Sequence, residues 1–394
     1  MKPVLGISVY PDIRPMSEIK QYFALASRYG CTRVFSSMFS VEGTKEEVLD
    51  LFRDMIESAH TYGLEVSLDV NPGCFRRMGA EYDDLSVFHE IGCDIVRMDM
   101  SFGTEKDAVL LKNPYGIKIE FNASSKSLQE IQELLNLGVD KERLLFCHNF
   151  YPQRYTGFRW DRFLAVNHEL RKAGVRVGAF ISSHAENTHG VWNAVNGLPT
   201  VEKLRDLPAD LQMRIQLATG DVTDILIGNA YASEEEFRAL KKALETKKME
   251  PDNPMIKVME SFGTSFSIDG IPQKKLKVIF DKEASAIEKE IVLDFFPHMD
   301  FGDSSEWMWR SRGPRFIYRG KRIPERPCDG DFFQPGDIVM VNESYPNYAG
   351  EVQIVLLPMK NDGQRNRVGH LAPGEEIMLE LVHDGDIVIF EEFV

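Results

Sequence analysis

Cysteine is scarce and unpatterned in this chain. Five occur in 394 residues, at positions 31, 74, 93, 147 and 328, and none is spaced Cys-x-x-Cys. A disulfide framework and a zinc knuckle are excluded on that count, and reduced thiols in a cytoplasmic protein are expected. Basic residues are outnumbered: Lys plus Arg is 46 against 61 for Asp plus Glu, a net charge of −15. Broad electrostatic binding to nucleic acid or to an anionic membrane is thereby excluded, although a local basic pocket is not. No apolar run approaches the roughly 20 residues of a membrane span. The first residues carry one Lys and a short apolar stretch broken by Gly6 and by Pro11-Asp12. That is neither the long apolar region nor the small-residue cleavage site of an export signal. Internal repeats and low-complexity tracts are also missing.

What is present is a regular alternation. With 43% hydrophobic residues the chain has ample core material, and its length suggests two domains or one large barrel with an appendage. Strand-like runs fall at residues 4–10, 33–37, 65–70, 94–100, 117–122, 144–149, 175–182 and 224–228. Helical patterns follow each, at 16–29, 45–62, 84–91, 105–111, 127–137, 162–173, 209–219 and 234–246. Gly30, Gly63, Gly92, Gly138 and Gly174 close five of these, as a left-handed helix end prefers. Eight strand–helix units in about 250 residues predict a TIM (β/α)8 barrel. An open doubly wound sheet would want a Gly-rich phosphate loop after its first strand. Tyr10 is followed instead by Pro11-Asp12-Ile13-Arg14-Pro15. The pattern changes after Pro251 and Pro254. Short β-type runs at 277–280, 338–341, 352–357 and 386–390 predict a smaller β-rich barrel domain without a long amphipathic helix. The expected domains are residues 1–250 and 251–394.

Strand alternation also predicts what lines the barrel. Ile117, Ile119 and Phe121 must face the helices, so Lys118, Glu120 and Asn122 face inward. By the same reading Arg97 and Asp99, and Glu65, Ser67, Asp69 and Asn71, point inward, with Ser8 and Tyr10 on the first strand. A purely structural barrel would fill these layers with aliphatic residues. Arg97, Lys118 and Glu65 lie lower in their strands and would neutralise one another as a buried network. Asp69, Asp99 and Glu120 lie at the carboxyl ends of three consecutive strands, where barrel enzymes place their chemistry. Carboxylates so close cannot all ionise freely, and a proton-holding carboxyl beside an ionised one is suited to cleaving an acetal. Glu120 is the expected general acid, Asp99 its partner and Asp69 a positioning group. Tyr10, Asn122, His148 and Asn149 are expected to bind sugar. Gly228 and Asn229, after the eighth strand, would offer N–H groups to a phosphate. Arg310 and Arg312, in the densest basic run, would supply its positive charge. No cofactor and no metal are expected. Two alternatives stay open. Three carboxylates with His148 would suit a metal-dependent sugar-phosphate isomerase, and the barrel would also serve as a non-catalytic sugar-phosphate sensor.

Several segments taken together resemble a known family. They are Ile119-Glu120-Phe121-Asn122-Ala123-Ser124, His148-Asn149-Phe150-Tyr151-Pro152 with Thr156-Gly157, Gly197-Leu198-Pro199-Thr200, Gly220-Asp221 with Gly228-Asn229, and Tyr348-Ala349-Gly350-Glu351-Val352-Gln353-Ile354. In this order they resemble the bacterial 6-phospho-N-acetylmuramidases. The resemblance implies a TIM barrel followed by a cyclophilin-like β-domain. It also implies a cytoplasmic glycosidase that splits 6-phospho-N-acetylmuramic acid from N-acetylglucosamine in cell-wall recycling. The substrate would be a small phosphorylated disaccharide, with neither nucleic acid nor membrane as partner. One departure bears on substrate preference: Val201-Glu202-Lys203-Leu204-Arg205 follows Gly-Leu-Pro-Thr, where the family carries Leu-Glu and then a His before the Arg. The catalytic roles rest on strand-end position, not on the resemblance.

Overall fold

A computed structural model describes residues 2–393. The chain divides into two compact units, Met1–Leu244 and Glu245–Val394. In the first, strands β1 (Val4–Ser8), β2 (Arg33–Ser37), β3 (Glu65–Val70), β4 (Ile95–Met98), β5 (Lys118–Asn122), β6 (Leu144–Cys147), β7 (Arg176–Ile181) and β8 (Asp224–Ile227) form a closed parallel barrel. Each strand pairs with the next, and β8 closes onto β1 through Val4↔Asp224 and Gly6↔Leu226. Around it lie α1 (Met16–Arg28), α2 (Lys45–Thr61), α3 (Pro72–Met78), α4 (Ser86–Glu90), α5 (Thr104–Leu111), α6 (Leu128–Asn136), α7 (Trp160–Lys172), α8 (Ala209–Ala218) and α9 (Glu234–Leu244). All eight expected strands occur, several shorter at their ends than the pattern suggested.

Local chemistry sets the helix limits. Thr44 and Ser127 start α2 and α6 with reciprocal bonds to Glu47 and Glu130, which satisfy N–H groups the first turn leaves unpaired. Gly63 ends α2 at φ +71°, its N–H returning to His60 O at 2.9 Å. A side chain is rarely tolerated at that φ. Helix α3 has no counterpart in the sequence reading. Its seven residues are too few to show a period, but Asn71 caps it and Pro72 opens it.

Inside the barrel, Phe35, Cys147, Phe180 and Leu226 form an apolar plug. The Phe35 and Phe180 rings meet edge to face at 5.1 Å. Toward the strand starts, an ion network replaces the usual aliphatic layer. Arg33 bonds Glu120 Oε1 at 2.6 Å and Asp224 Oδ2 at 3.2 Å, and Arg176 bonds Asp224 Oδ1 at 2.5 Å. Lys118 pairs with Glu65, as expected.

The second unit is β-rich. Strands β9 (Gln273–Phe280), β10 (His298–Met299), β11 (Met308–Ser311), β13 (Asp337–Val341), β14 (Val352–Val355), β16 (Arg365–Leu371) and β17 (Ile387–Glu392) form one sheet in the order β10-β17-β9-β16-β13-β14-β11. Its two outer strands meet where His298 Nδ1 lies 3.0 Å from Ser311 Oγ, so the sheet is a nearly closed barrel. A ribbon of β12 (Phe332–Phe333) and β15 (Met359–Lys360) stands apart from it. Three short helices, α10 (Pro254–Ser261), α11 (Ala286–Asp294) and α12 (Pro314–Ile317), complete the unit. They are too brief for a helical period to emerge from the sequence.

Candidate active site

Arg97 organises the carboxyl end of the barrel. It is almost fully buried on β4 and lies over the Phe35 ring, 5.8 Å from its centroid. One guanidinium nitrogen bonds Asp69 and lies 3.6 Å from Asp99 Oδ1; another bonds Asn149 Oδ1. Strand register explains the Asp69–Arg97 pair. Ser37, Asp69, Arg97 and Glu120 are lateral partners across β2 to β5, and registered residues of a parallel sheet point the same way. The expectation that Arg97 would share one buried network with Lys118 and Glu65 is therefore corrected. Those two pair with each other, and Arg97 belongs to Asp69 and Asp99.

The carboxylates are unequal. Asp69 is buried, and burial lifts its pKa from 3.8 to about 7 although Arg97 opposes the rise, with Asp99 and Glu120 adding to it. Burial thus favours its protonated form far more than for an ordinary aspartate. Burial works against the charge on Arg97, but Asp69 and its other anionic neighbours raise its pKa on balance. Asp99 follows the end of β4, with 29% of its side chain exposed. Its Oδ1 accepts from Asn122 Nδ2 at 3.2 Å. Asn122 in turn accepts from the Ser124 N–H at 2.9 Å, so the turn after β5 fixes the amide that holds Asp99.

Glu120, expected as the acid, occupies a different position. It is 0% exposed, with one oxygen on Arg33 at 2.6 Å and the other 3.4 Å from Ser67 Oγ. Both oxygens serve the internal ion network. Glu120 lies deeper than a strand-end residue because β5 continues to Asn122, one inward layer nearer the mouth. Arg33 went unrecognised because Val34, Phe35 and Ser36 give β2 no clear polar column.

His148 also departs from expectation. The imidazole is 0% exposed. It lies 2.7 Å from Asn167 Oδ1 of α7 and 3.1 Å from Ser124 Oγ, beside Phe158 and Phe163. Burial pushes its pKa down to about 4, so it is a neutral packing group on the helix side of β6. Asn149, one residue on, faces inward. A metal site built on His148 is not supported by this placement.

The remaining expected residues are held by the loops. Tyr10 is buried, and its hydroxyl donates to Gly228 O at 2.6 Å. Gly228 packs so tightly that a Cβ would fall 2.5 Å from Leu198 O. The Asn229 amide bonds both Ser183 N and Ser183 O, at 2.8 and 2.9 Å. Arg310 is fork-bonded to Glu351 at 2.9 and 2.6 Å, and Arg312 lies 3.0 Å from Asp303, all within the second unit. The recurring motifs are largely braces. Leu198 N–H donates to Ser182 Oγ, Thr200 Oγ1 to Asn149 O, and Glu202 gathers the N–H groups of Tyr155 and Gly157 with Arg205. At the rim, Trp192 is 62% exposed at φ +54°, its ring 6.4 Å from Phe39.

A closed (β/α)8 barrel whose mouth holds a carboxyl with a raised pKa, a second carboxylate and a shared arginine has the equipment of an acid–base barrel enzyme. Comparison with known proteins specifies the kind. Residues 5–242 match the family model "6-phospho-N-acetylmuramidase, N-terminal", and residues 274–391 match "6-phospho-N-acetylmuramidase, C-terminal". The chain belongs to the 6-phospho-N-acetylmuramidase family and is a glycosidase. Two solved structures are similar along their whole length. One is an uncharacterized protein of B. cereus, 34% identical, with 100% of each chain covered and a TM-score of 0.83. The other is a conserved Enterococcus faecalis protein of unknown function, 22% identical, covering 99% of this chain and 96% of that one, with a TM-score of 0.67. No curated protein matches the chain. Among the described residues, no helix is long and apolar enough to cross a membrane.

Proposed function

We propose that the protein hydrolyses the glycosidic bond between 6-phospho-N-acetylmuramic acid and N-acetylglucosamine, in the cytoplasm, as a step of cell-wall recycling. The observation that carries this reading is the Asp69–Arg97–Asp99 group. Asp69 holds a proton near neutral pH and is the general acid that gives it to the leaving glycosidic oxygen. Asp99, more solvated and oriented by Asn122, is the partner carboxylate, acting on water or on the anomeric carbon. Water supplies the hydroxyl that ends on the muramyl sugar. Arg97 holds both acids in place and balances charge as the proton leaves. Asn149, fixed by Arg97 and by its own N–H to Ser124 Oγ, offers its remaining amide capacity to a sugar hydroxyl or acetamido group. The exposed face of Trp192 suits the apolar side of the N-acetylglucosamine ring. The five free thiols accord with a reducing compartment.

The test is incubation with synthetic 6-phosphomuramyl-N-acetylglucosamine, assayed for both released sugars. Release of the two in equal amounts is expected. A substrate that remains intact while an isomerised sugar phosphate is produced from a monosaccharide would overturn the reading.

A further inference from the structure

The proposed reaction leaves the substrate's phosphate without a binding site. Arg310 and Arg312 are engaged with Glu351 and Asp303, and the Gly228 N–H is already bonded to Ile181 O at 2.9 Å. We propose that the phosphate is held in the barrel itself, by Arg14, His189 and Tyr231, on the loops that follow β1, β7 and β8. The inference rests on the phosphorylated-disaccharide reading and adds the place where its anion is recognised.

His189 is the first indication. It is only 6% exposed, yet neither ring nitrogen makes a well-formed hydrogen bond among the described residues. Its backbone is pinned to Ala230 in both directions, at 2.5 and 2.8 Å, so the ring is held in place without using its polar atoms. Buried polar groups without partners are rare, because each forfeits the hydrogen bonds it made to water. A ligand that completes them explains the arrangement. Tyr231 repeats the pattern: its hydroxyl is buried without a partner, and its ring stands edge-on to His189 at 5.6 Å. Burial raises that phenol to about 12, which keeps it a donor.

Arg14 supplies the charge. Its contact with Glu18 is long, 3.9 Å between half-exposed groups, and its Nε is buried without a partner. The same two charges, Arg14 and Glu18, act on both His189 and Tyr231, which places Arg14 near the pair of rings. Burial first, then the Arg14 charge, lowers the His189 pKa, against weaker pulls from the Gly190 backbone and Glu18. Helix α1 begins at this point with Pro15 at its cap position and no side chain capping it. Its free N–H groups add partial positive charge. The opposing carboxylates are Glu18, which a bound phosphate displaces from Arg14, and Asp12, which acts on Tyr10.

Tyr10 neighbours both the catalytic acid and the proposed anion site. Tyr10 feels the charge of Asp69 on one side, and on the other its ring centre lies 6.0 Å from that of His189. Barrels commonly bind phosphate after strands seven and eight.

The probe is N-acetylglucosamine 6-phosphate, titrated into the full chain by calorimetry, with inorganic phosphate as competitor. Arg14→Ala should weaken binding roughly ten- to hundredfold, the worth of a hydrogen bond to a charged group. Tyr231→Phe should weaken it severalfold without altering the fold, since it removes one oxygen. Both variants should lower the preference for phosphorylated over unphosphorylated disaccharide. Undiminished binding in both, or loss of binding in Arg312→Ala instead, would overturn the assignment. Wild-type protein that binds the sugar phosphate through these residues but leaves the phosphodisaccharide uncut would support this site while refuting the proposed reaction.

Discussion

Asp69→Asn separates the chemistry of the mouth from its stability. The side chains are nearly the same size, but the amide neither ionises nor donates a proton to a leaving group. In the native protein, burial raises the Asp69 pKa from 3.8 to about 7, which corresponds to about 4 kcal/mol. The sign follows from proton counting. Between those two pH values the folded chain keeps a proton on Asp69 that the unfolded chain has released. Stability therefore falls as pH rises through this window and levels off above about 7. The Asp69→Asn variant lacks that slope. Urea unfolding of wild type and variant at pH 4 and pH 8 should show the variant gaining about 4 kcal/mol relative to wild type between the two. Turnover should fall about 10²- to 10⁴-fold, the range for general acid catalysis. Glycosides with good leaving groups should lose less, and the alkaline limb of kcat/KM near pH 7 should disappear. Identical pH slopes in the two proteins, with near-normal turnover of a poor leaving group, would refute both the buried proton and its role.

Glu120→Gln should damage the fold more than the chemistry, because it removes a charge from Arg33 inside the barrel. Loss of one partner of a buried pair costs about 3–5 kcal/mol, readable as a lower urea midpoint; full stability with turnover down more than about a hundredfold would return the acid role to Glu120. Gly228→Ala should lower the melting temperature, because the new methyl meets Leu198 O at 2.5 Å and overpacking costs about 1–3 kcal/mol; an unchanged melting temperature would show that the loop yields freely.

The barrel was legible because the strand and helix periods alternate eight times and glycines close five of the helical patterns. The inward columns were legible for a related reason: Lys118, Glu120 and Asn122 interrupt an otherwise apolar alternation. Their partners were not legible. Glu120 and Arg33 are 87 residues apart, on strands that meet only through closure and stagger, and alternation reports the face of a residue but not what lies across the barrel. His148 differs, since its face was available from parity. Cys147 belongs to the interior plug, so residue 148 faces α7 and residue 149 returns inward. Position at a strand end says nothing of that parity. His189 and Tyr231 gave no signal, because loop residues have no period from which to read their burial.

Counting charge inside the barrel gives the reason the pKa of Asp69 is raised. Four cations, Arg33, Arg97, Lys118 and Arg176, meet five carboxylates, Glu65, Asp69, Asp99, Glu120 and Asp224. Lys118 serves Glu65, while Arg33 and Arg176 serve Glu120 and Asp224. Arg97 is left to share itself between Asp69 and Asp99, so the surplus negative charge falls at the mouth. Asp69 is the more buried of the two, and desolvation disfavours its ionised form most. Asp99 then acts on Asp69 through space as well as on substrate. Asp99→Asn removes that repulsion and frees Arg97 for one carboxylate, so the Asp69 pKa should drop from about 7. Carbon-13 titration of the Asp69 carboxyl reads this directly, independently of the catalytic loss that the same substitution brings. A pKa that stays in place or rises would mean that burial alone holds the proton, and that the two acids do not act as a pair.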